Sequence, residues 1–245
     1  MKNSLSPKLV EFAHKVASIP GMKTMLKPIY YPYKRLLQKR RNKRTQQYAY
    51  KVLSDFDKAL SSIGVNYSVA FGTLLGAVRE HGLILHDLDL DALVWYDDYT
   101  PEIKNALHSY GFKLSSVYML DGGKRGLEET YEKDDVSIDI FYFYPAISKY
   151  PYTCLWDVVE GASTMGDSMR RFGYVKVGRL ELPVSRQVKR ITFGPIQVPA
   201  MINYSEFLEK RYGPNYMTPD PSWHPSNEDS CFVDWPEQRA TYQSL

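Results

Sequence analysis

Three aspartates at alternate positions, set in an otherwise apolar segment, constrain this chain more than any other feature of its sequence. Asp87, Asp89 and Asp91 lie in the stretch LILHDLDLDALVW, residues 83–95. Strict alternation predicts a β-strand, whose successive side chains point to opposite faces, so we expect the three carboxylates to share one face. Like charges this close repel, or one of them takes up a proton, unless a cation lies between them. The segment therefore predicts either a divalent-ion site or an exposed strand end whose aspartates pair with lysine or arginine.

The ligands in this segment favour a hard cation. Mg²⁺ and Mn²⁺ prefer carboxylate oxygens, and Mg²⁺ is commonly held by one or two carboxylates together with substrate phosphates and water. We expect Asp89 and Asp91 to be the main metal ligands and Asp87, at the entry of the strand, to be a weaker one. A metal with open positions on two carboxylates suits phosphoryl-transfer chemistry.

Two other places in the sequence support a site that handles phosphate. Gly72 and Thr73 stand where a predicted strand gives way to a short helix, which directs free backbone N–H groups and a hydroxyl toward an anion. Asp139 lies alone in the apolar stretch VSIDIFYFYP, where an ionised carboxylate is costly without a partner. We expect Asp139 to be a third ligand on a neighbouring strand, and the alternative is a buried residue satisfied by an arginine.

Together these motifs resemble a known family. The stretch GTLLGAVREHGLILHDLDLD is similar to the signature of the LicD/fukutin-related phosphotransferases, and the resemblance continues through SIDIFYFYP, FGPIQVP and FLEKRYGPNYMTP, over residues 45–220. It implies an α+β fold of the nucleotidyltransferase type, as in polymerase beta, with a mixed sheet flanked by helices.

The resemblance also implies an activity. Phosphocholine or a phospho-polyol would pass from CDP-choline, CDP-glycerol or CDP-ribitol to a hydroxyl of a cell-surface glycan or glycolipid, such as capsule or lipopolysaccharide, with release of CMP. Asp89, Asp91 and Asp139 would be the catalytic residues of a reaction that depends on Mg²⁺ or Mn²⁺. Asp139 would act as a metal ligand or as the base for the acceptor hydroxyl. Gly72 and Thr73 would hold phosphate oxygens.

Four arginines are candidates for binding phosphate. Arg79 lies on the predicted helix that follows the glycine–threonine pair, and Arg125 lies beside a glycine–glycine turn. We expect both to bind substrate, with Arg170 or Arg171 as further candidates. The alternative for Arg79 is a surface arginine paired with Glu80 or an aspartate, and the alternative for the other three is a solvated charge.

The chain is also rich in aromatic residues, with 20 tyrosines and four tryptophans. Quaternary ammonium groups bind over aromatic faces, so phosphocholine as the transferred group would predict an aromatic cage. Its candidate members are Tyr142, Tyr144, Tyr212, Tyr216 and Trp223. Ordinary aromatic packing is the alternative.

Positive charge is concentrated at the beginning of the chain. Residues 1–51 contain 13 Lys and Arg against one acid, and the remainder contains 18 against 27. We predict a basic helical extension over residues 1–44, interrupted by two prolines, a catalytic domain over residues 45–220, and a Pro/Trp-rich tail over residues 221–245 packed on or near it. A basic aromatic segment suits peripheral contact with an anionic membrane. The alternative is a solvated helix face, and nucleic acid is not favoured as a partner.

The two cysteines and the hydropathy of the sequence indicate in which cellular compartment the protein is found. Cys154 and Cys231 lie far apart and match no metal-ligand spacing, so we expect two reduced, buried thiols. The sequence has no run of about 18 apolar residues, which a membrane-spanning helix requires. These features predict a cytoplasmic protein, with peripheral membrane contact as an option.

Periodicity outlines the remaining elements. It predicts a helix over residues 45–63, a strand ending at Gly72, a helix starting at Thr73, a strand over residues 83–95, a helix over residues 100–111 and a glycine–glycine hairpin. Near the C-terminus it predicts strands in YVKVGRLELP and ITFGPIQVPA and a helix in YSEFLEKRYG.

Two other functions fit part of this pattern. A metal-dependent glycosyltransferase also uses an Asp-x-Asp segment on a strand to hold a nucleotide sugar, although it normally follows a longer nucleotide-binding half than the 86 residues before Asp87. A non-catalytic nucleotide- or glycan-binding module built on the same fold is the second alternative. At this point both remain open.

Overall fold

The computed structural model describes residues 22–220 and 231–245, with side chains from residue 39 onward. These residues form an α+β fold in which a mixed sheet is flanked by helices, so the predicted fold class is confirmed. The main sheet contains β1 (Ser68–Val69), β2 (Asp89–Trp95), β3 (Lys113–Leu120), β4 (Gly126–Lys133), β5 (Val136–Phe143) and β11 (Thr241–Ser244). The strand order is β1-β2-β5-β4-β3-β11.

The centre of this sheet is the parallel pair β2 and β5, and all its other neighbours are antiparallel. Strand β3 turns into β4 through a short 3₁₀ segment, Asp121–Gly123, at the predicted hairpin. Strand β4 turns into β5 at Asp134 and Asp135, which both adopt left-handed backbone angles, with φ of 55° and 62°. Two consecutive left-handed residues make the turn whose twist matches antiparallel strands.

Helices cover the sheet. In the described residues they are α1 (Met22–Ser62), α2 (Phe71–Arg79), α3 (Glu102–Ser109), α4 (Met165–Phe172) and α5 (Tyr204–Tyr212). The second half of α1 has an apolar stripe at helical spacing, formed by Ala49, Val52, Leu53, Phe56 and Leu60, and each of these residues is fully buried. This stripe ties α1 to the hydrophobic core.

Two smaller sheets complete the fold. Strands β6 (Tyr152–Asp157), β7 (Lys176–Glu181) and β10 (Phe232–Asp234) are antiparallel, and β8 (Val188–Phe193) forms a hairpin with β9 (Ile196–Met201). The Met201 N–H donates to Ser68 Oγ at 2.9 Å, which attaches this hairpin to the short strand β1. The tail beyond residue 230 supplies one strand to each of two sheets.

Helix α1 is longer than the sequence predicts. It continues through Pro28 and Pro32, where we expected an interruption, and across residue 44, where we placed a domain boundary. Each proline removes only one backbone donor from the helical ladder. Basic segment and core-packed helix are therefore one continuous element.

The elements around the aspartates also differ from the prediction. The strand expected to end at Gly72 is only two residues long, and α2 begins at Phe71 rather than Thr73. Strand β2 begins at Asp89, so residues 83–88 form a loop rather than the first half of a strand. The alternation of side chains along a strand therefore does not determine where the Asp87 side chain points.

Both cysteines are buried and they form no disulfide with each other, as predicted. Across the part of the chain that the structure describes, we find no helix with the length and apolar character needed to span a bilayer.

Candidate active site

The first turn of α2 forms one wall of the site. Phe71 begins the helix with φ of 39°, a left-handed conformation that bulky residues rarely adopt, and its ring packs edge-on against Phe141 with centroids 4.7 Å apart. The next residue, Gly72, leaves room for carboxylates. A Cβ at Gly72 would lie 2.7 Å from Asp87 Oδ2 and 3.3 Å from Asp91 Oδ2. Both oxygens therefore lie within 3.3 Å of one point beside the helix.

Thr73 joins α2 to strand β2 through two hydrogen bonds. The Asp91 N–H donates to Thr73 Oγ1 at 2.8 Å, and the Thr73 N–H donates to Asp91 Oδ2 at 3.4 Å. The backbone N–H and hydroxyl that we expected to face a phosphate thus contact Asp91. This pair fixes the Asp91 carboxylate against the N-terminal turn of α2.

The parallel strands β2 and β5 place Asp91 and Asp139 side by side. Their register pairs Asp91 with Asp139, so both side chains leave the same face of strands about 4.8 Å apart. Thr130 lies opposite Asp139 on β4, and its side chain lowers the pKa of the Asp139 carboxyl group. Asp139 Oδ1 is buried and, among the residues that the structure describes, has no hydrogen-bond partner. A buried carboxylate oxygen without a donor is costly, and a bound cation would satisfy it.

Asp87 and Asp89 complete the acidic cluster, which we define as Asp87, Asp89, Asp91 and Asp139. Asp87 lies in a turn in which its N–H donates to the Ile84 carbonyl at 3.0 Å. This turn, rather than a strand, directs Asp87 to the same point as Asp91. Asp89 is the first residue of β2 and lies 3.6 Å from Arg41 Nη2.

Burial and mutual repulsion favour protonated carboxyl groups in the cluster. Burial and the charge of Asp89 raise the pKa of Asp87 to about 7. Burial, together with the charges of Asp89, Asp87 and Asp139, raises the pKa of Asp91 well above its usual range. Burial raises the pKa of Asp139 to about 6, although the Thr130 side chain lowers it. A cation placed among these groups would reverse each of these shifts.

The acidic cluster fits a hard divalent ion in chemistry and in backbone placement. Its donors are all carboxylate oxygens, which Mg²⁺ and Mn²⁺ prefer, and one of them is buried without a partner. As the side chains stand, no three His, Cys, Asp or Glu groups of residues 39–220 and 231–245 converge as ligands of one ion. Asp89 turns to Arg41 and Asp139 to Thr130. Binding an ion would therefore require these two side chains to rotate.

Comparison with known proteins points to the same segment. Residues 64–164 match the family model described as LicD/FKTN/FKRP, nucleotidyltransferase domain. Residues 64–164 are therefore similar to this domain, and we call them the LicD-type domain. All four members of the acidic cluster and the Gly72–Thr73 turn lie inside this LicD-type domain.

Curated relatives of the LicD-type domain include ribitol-5-phosphate transferase FKTN of Mus musculus, which is 27% identical over 169 residues, and that of Homo sapiens, which is 25% identical over the same length. These alignments cover 68% of this chain and 32% of each relative. An uncharacterized protein of Rickettsia typhi, RT0683, is 28% identical over 107 residues, or 41% of this chain and 30% of that protein. The chain thus spans about a third of the length of the curated relatives it matches.

The predicted phosphate-binding arginines have other partners. Arg79, at the end of α2, forms an ion pair with Glu80 at 2.8 Å and donates to the Tyr216 carbonyl at 3.4 Å. Arg125 donates to Gln238 Oε1 at 3.0 Å and stacks on Trp235. Neither contacts the acidic cluster in this arrangement. Arg170 and Arg171 both pair with Asp167 on their own helix, at 2.8 and 3.5 Å.

The aromatic cage is not assembled by the residues that the structure describes. Tyr142 is fully buried and donates to Glu129 Oε2 at 2.8 Å, on the sheet face opposite Asp139. Tyr144 is buried on the same side. Tyr212, by contrast, lies near the acidic cluster, since burial and the charge of Asp91 raise its pKa. Trp223 lies outside the described residues.

Two residues beside the acidic cluster were not predicted from the sequence. Glu128 on β4 is a buried carboxyl group that accepts a hydrogen bond from Trp156 Nε1 at 2.8 Å, and burial and the charge of Asp139 raise its pKa. Glu128 and Thr130 are two positions apart on β4 and so lie on the same face, a pattern that could have predicted Glu128 from the sequence. Arg41 comes from the segment that we assigned to an extension, and no local pattern links it to residues nearly fifty positions away.

Proposed function

We propose that this protein transfers a phospho-alcohol from a CDP-linked donor to a hydroxyl of a glycan, with release of CMP, at the acidic cluster. The observation that carries this proposal is the pairing of Asp91 with Asp139 on adjacent parallel strands, directly beside the Gly72 turn of α2. Two carboxylates on one sheet face, next to a helix N-terminus, suit the binding of a divalent ion and a diphosphate. The match to a nucleotidyltransferase domain supports this interpretation.

The family members named ribitol-5-phosphate transferase make CDP-ribitol the first donor to test. Their identity to this chain is 27% or less over about a third of their length, so CDP-glycerol and CDP-choline belong in the same panel. The buried position of Tyr142 argues against the particular aromatic cage expected for choline. We therefore favour a phospho-polyol as the transferred group.

In the proposed reaction, the acceptor oxygen forms a bond to the phosphorus that carries the alcohol. The bond from that phosphorus to the bridging oxygen breaks, and CMP leaves with this oxygen. The acceptor proton passes to a carboxylate of the acidic cluster. Asp139 is our candidate base, because it lies beside Asp91 in the register of β2 and β5 and its buried Oδ1 has no hydrogen-bond partner among the described residues.

Asp89, Asp91 and Asp139, with Asp87 as a fourth carboxylate, would hold Mg²⁺ or Mn²⁺, which when bound supplies positive charge to the diphosphate. The contribution of the protein is to hold the carboxylates of the acidic cluster in position. The hydrogen bonds between Thr73 and Asp91 fix the Asp91 carboxylate before substrate arrives, and the register of β2 with β5 fixes the backbone of Asp139 beside it. Preorganised groups of this kind commonly account for a large part of catalysis.

Mass spectrometry of a glycan acceptor after incubation with CDP-ribitol, CDP-glycerol and CDP-choline in turn would identify the transferred group by its added mass. The test variant is Asp89→Asn/Asp91→Asn, which keeps the side-chain shape. The matched control is Asp97→Asn, an exposed carboxylate paired with Arg186 outside the acidic cluster. Loss of transfer in the double variant and retention in the control is the expected result.

Two results would refute the proposal. Release of UDP or GDP from nucleotide sugars, with all three CDP-alcohols inert, would assign a glycosyltransferase activity instead. Full transfer in the presence of EDTA, or by the double variant, would remove the metal ion from the mechanism.

A further inference from the structure

One face of α1 is bonded to the loop that leads into the aspartate strand. We define this loop as residues 83–88. Its backbone receives hydrogen bonds from Asn42 to the Leu85 carbonyl at 2.6 Å, from Gln46 to the Ile84 carbonyl at 3.2 Å, and from Thr45 to the Leu88 carbonyl at 3.1 Å. The Leu83 N–H in turn donates to Tyr50 Oη at 3.3 Å. We call this set of bonds the α1 clamp.

Arg41 extends the α1 clamp into the acidic cluster. Its Nε donates to the Leu88 carbonyl at 3.2 Å, and its Nη2 donates to Ser137 Oγ at 2.5 Å and lies 3.6 Å from Asp89 Oδ2. Ser137 pairs with Asp89 in the register of β2 and β5. The guanidinium therefore stands across the ends of the two strands that carry the aspartates.

The contact between Arg41 and Asp89 is too long and too open to be a structural salt bridge. It is 3.6 Å, which is beyond hydrogen-bond distance, and the Arg41 side chain is 46% exposed. Such pairs contribute little to stability, because water screens them. Within the described residues, Nη1 of Arg41 has no hydrogen-bond partner. Two nitrogens hold the guanidinium in place, and the third remains available to a ligand.

An anionic substrate needs a positive charge at this position. A CDP-linked donor carries its charge on a diphosphate, which the four carboxylates of the acidic cluster would repel. Guanidinium groups bind phosphate oxygens through paired N–H donors in a planar arrangement. Arg79, Arg125, Arg170 and Arg171, the arginines expected from the sequence to do this, are engaged elsewhere.

We propose that Arg41, held by the α1 clamp, is a substrate-binding residue that contacts the diphosphate of the CDP-linked donor beside Asp89. This inference rests on the proposed function and extends it, because it makes α1 a part of the active site. The clamp bonds to backbone atoms on both sides of Asp87, so Arg41 and the acidic cluster keep a fixed relative position without substrate.

The test compares three variants in two measurements. Arg41→Gln removes the charge, Arg41→Lys keeps the charge without the paired donors, and Lys43→Gln is the matched control, since Lys43 is an exposed cation on the same helix. Calorimetry in the presence of Mn²⁺ measures the affinity of each for CDP-ribitol, CDP-glycerol and CDP-choline. Transfer kinetics then separate KM from kcat.

We expect Arg41→Gln to weaken donor binding about tenfold and to raise KM by a similar factor, because it loses a charged hydrogen bond. Arg41→Lys should fall between Arg41→Gln and the wild type, and Lys43→Gln should match the wild type. Ser137→Ala keeps the Arg41 charge and removes one of its supports. It should weaken binding less than Arg41→Gln, which provides a second route if that variant folds poorly.

Three results would overturn the inference. If Arg41→Gln binds the donor as tightly as the wild type, and the wild type transfers the group, Arg41 has only a structural role. The proposed function would not be affected by that result. Tighter Mn²⁺ binding with unchanged donor affinity would make Arg41 only a counter-ion of the carboxylates. A wild-type protein that binds none of the three CDP-alcohols would overturn the proposed function and this inference together.

Discussion

Replacing Gly72 with alanine should separate activity from stability. The new Cβ would lie 2.7 Å from Asp87 Oδ2, so this oxygen must retreat by roughly 0.7 Å to reach ordinary contact at 3.4 Å. Asp87 can rotate, since the contact is with the end of a side chain. Alanine in a helix is also about 0.5–1 kcal/mol more favourable than glycine. We therefore expect the free energy of unfolding of Gly72→Ala to stay within about 1 kcal/mol of the wild type.

The effect of Gly72→Ala on activity should be much larger. The methyl group occupies the point that Asp87 and Asp91 share, and displacement of reacting groups by about 1 Å can cost about 100-fold in rate. Gly76→Ala, one turn further along α2, is the matched control. There the Cβ would lie 2.5 Å from the Gly82 carbonyl oxygen, a backbone atom that cannot rotate away. This second variant should lose about 1–3 kcal/mol of stability by overpacking.

Thermal unfolding and turnover with CDP-alcohols measure both effects on the same preparations. Gly76→Ala should unfold several degrees below the wild type, because about 1 kcal/mol corresponds to roughly 2–4 °C in a chain of this size. Gly72→Ala should unfold near the wild type and turn over about 100-fold more slowly. Wild-type turnover in Gly72→Ala would refute the reasoning, since the shared point beside α2 would then have no part in the reaction.

Three further predictions concern Thr73, Asp87 and the exposed cations of α1. Thr73→Val leaves the buried Asp91 N–H without its acceptor and should cost about 1–3 kcal/mol in urea unfolding, so an unchanged midpoint would contradict the pairing. In EDTA, the free energy of unfolding of the wild type relative to Asp87→Asn should fall as pH rises from about 4 to about 7. The reason is that the folded state holds a proton on Asp87 that the unfolded state has released. An equal difference in unfolding free energy between the two proteins at pH 5 and at pH 8 would argue against the raised pKa. The triple variant Lys39→Gln/Arg40→Gln/Lys43→Gln should bind less than the wild type to vesicles containing phosphatidylserine, because exposed cations on α1 are attracted to anionic lipid. Salt screens this attraction, so the difference in binding should be smaller at high salt. Equal binding by the two proteins would count against membrane contact through this helix.

Local patterns predicted the parts of the site that depend on local geometry. Alternation placed Asp89 and Asp91 on one face, and an isolated acid in an apolar strand suggested Asp139 as their neighbour. The register of β2 and β5 sets Asp139 opposite Asp91. The hairpin at Asp121–Gly123 followed from its glycines. These features need only period-two alternation and turn chemistry, which a single sequence contains.

The remaining parts depend on contacts between distant segments. Asp87 reaches the cluster through a turn, and the alternating pattern continues through that turn, so periodicity extended the strand too far. Arg41 and its neighbours on α1 contact residues more than thirty positions away through hydrogen bonds between side chains and backbone, which produce no periodic signal. The start of α2 at Phe71 depends on a left-handed residue that is not glycine, which composition does not predict.

The α1 clamp has a consequence for how sequences with this fold can diverge. Asn42, Thr45 and Gln46 bond to carbonyl groups of the loop, which every amino acid provides. Substitutions among loop side chains leave those acceptors in place, whereas each substitution on the helix removes a donor. We therefore expect relatives that share the clamp to vary freely at positions 85 and 86, whose side chains are exposed, and to preserve hydrogen-bonding side chains on one face of the preceding helix. An alignment that includes this helix, rather than the nucleotidyltransferase segment alone, would reveal such an asymmetry.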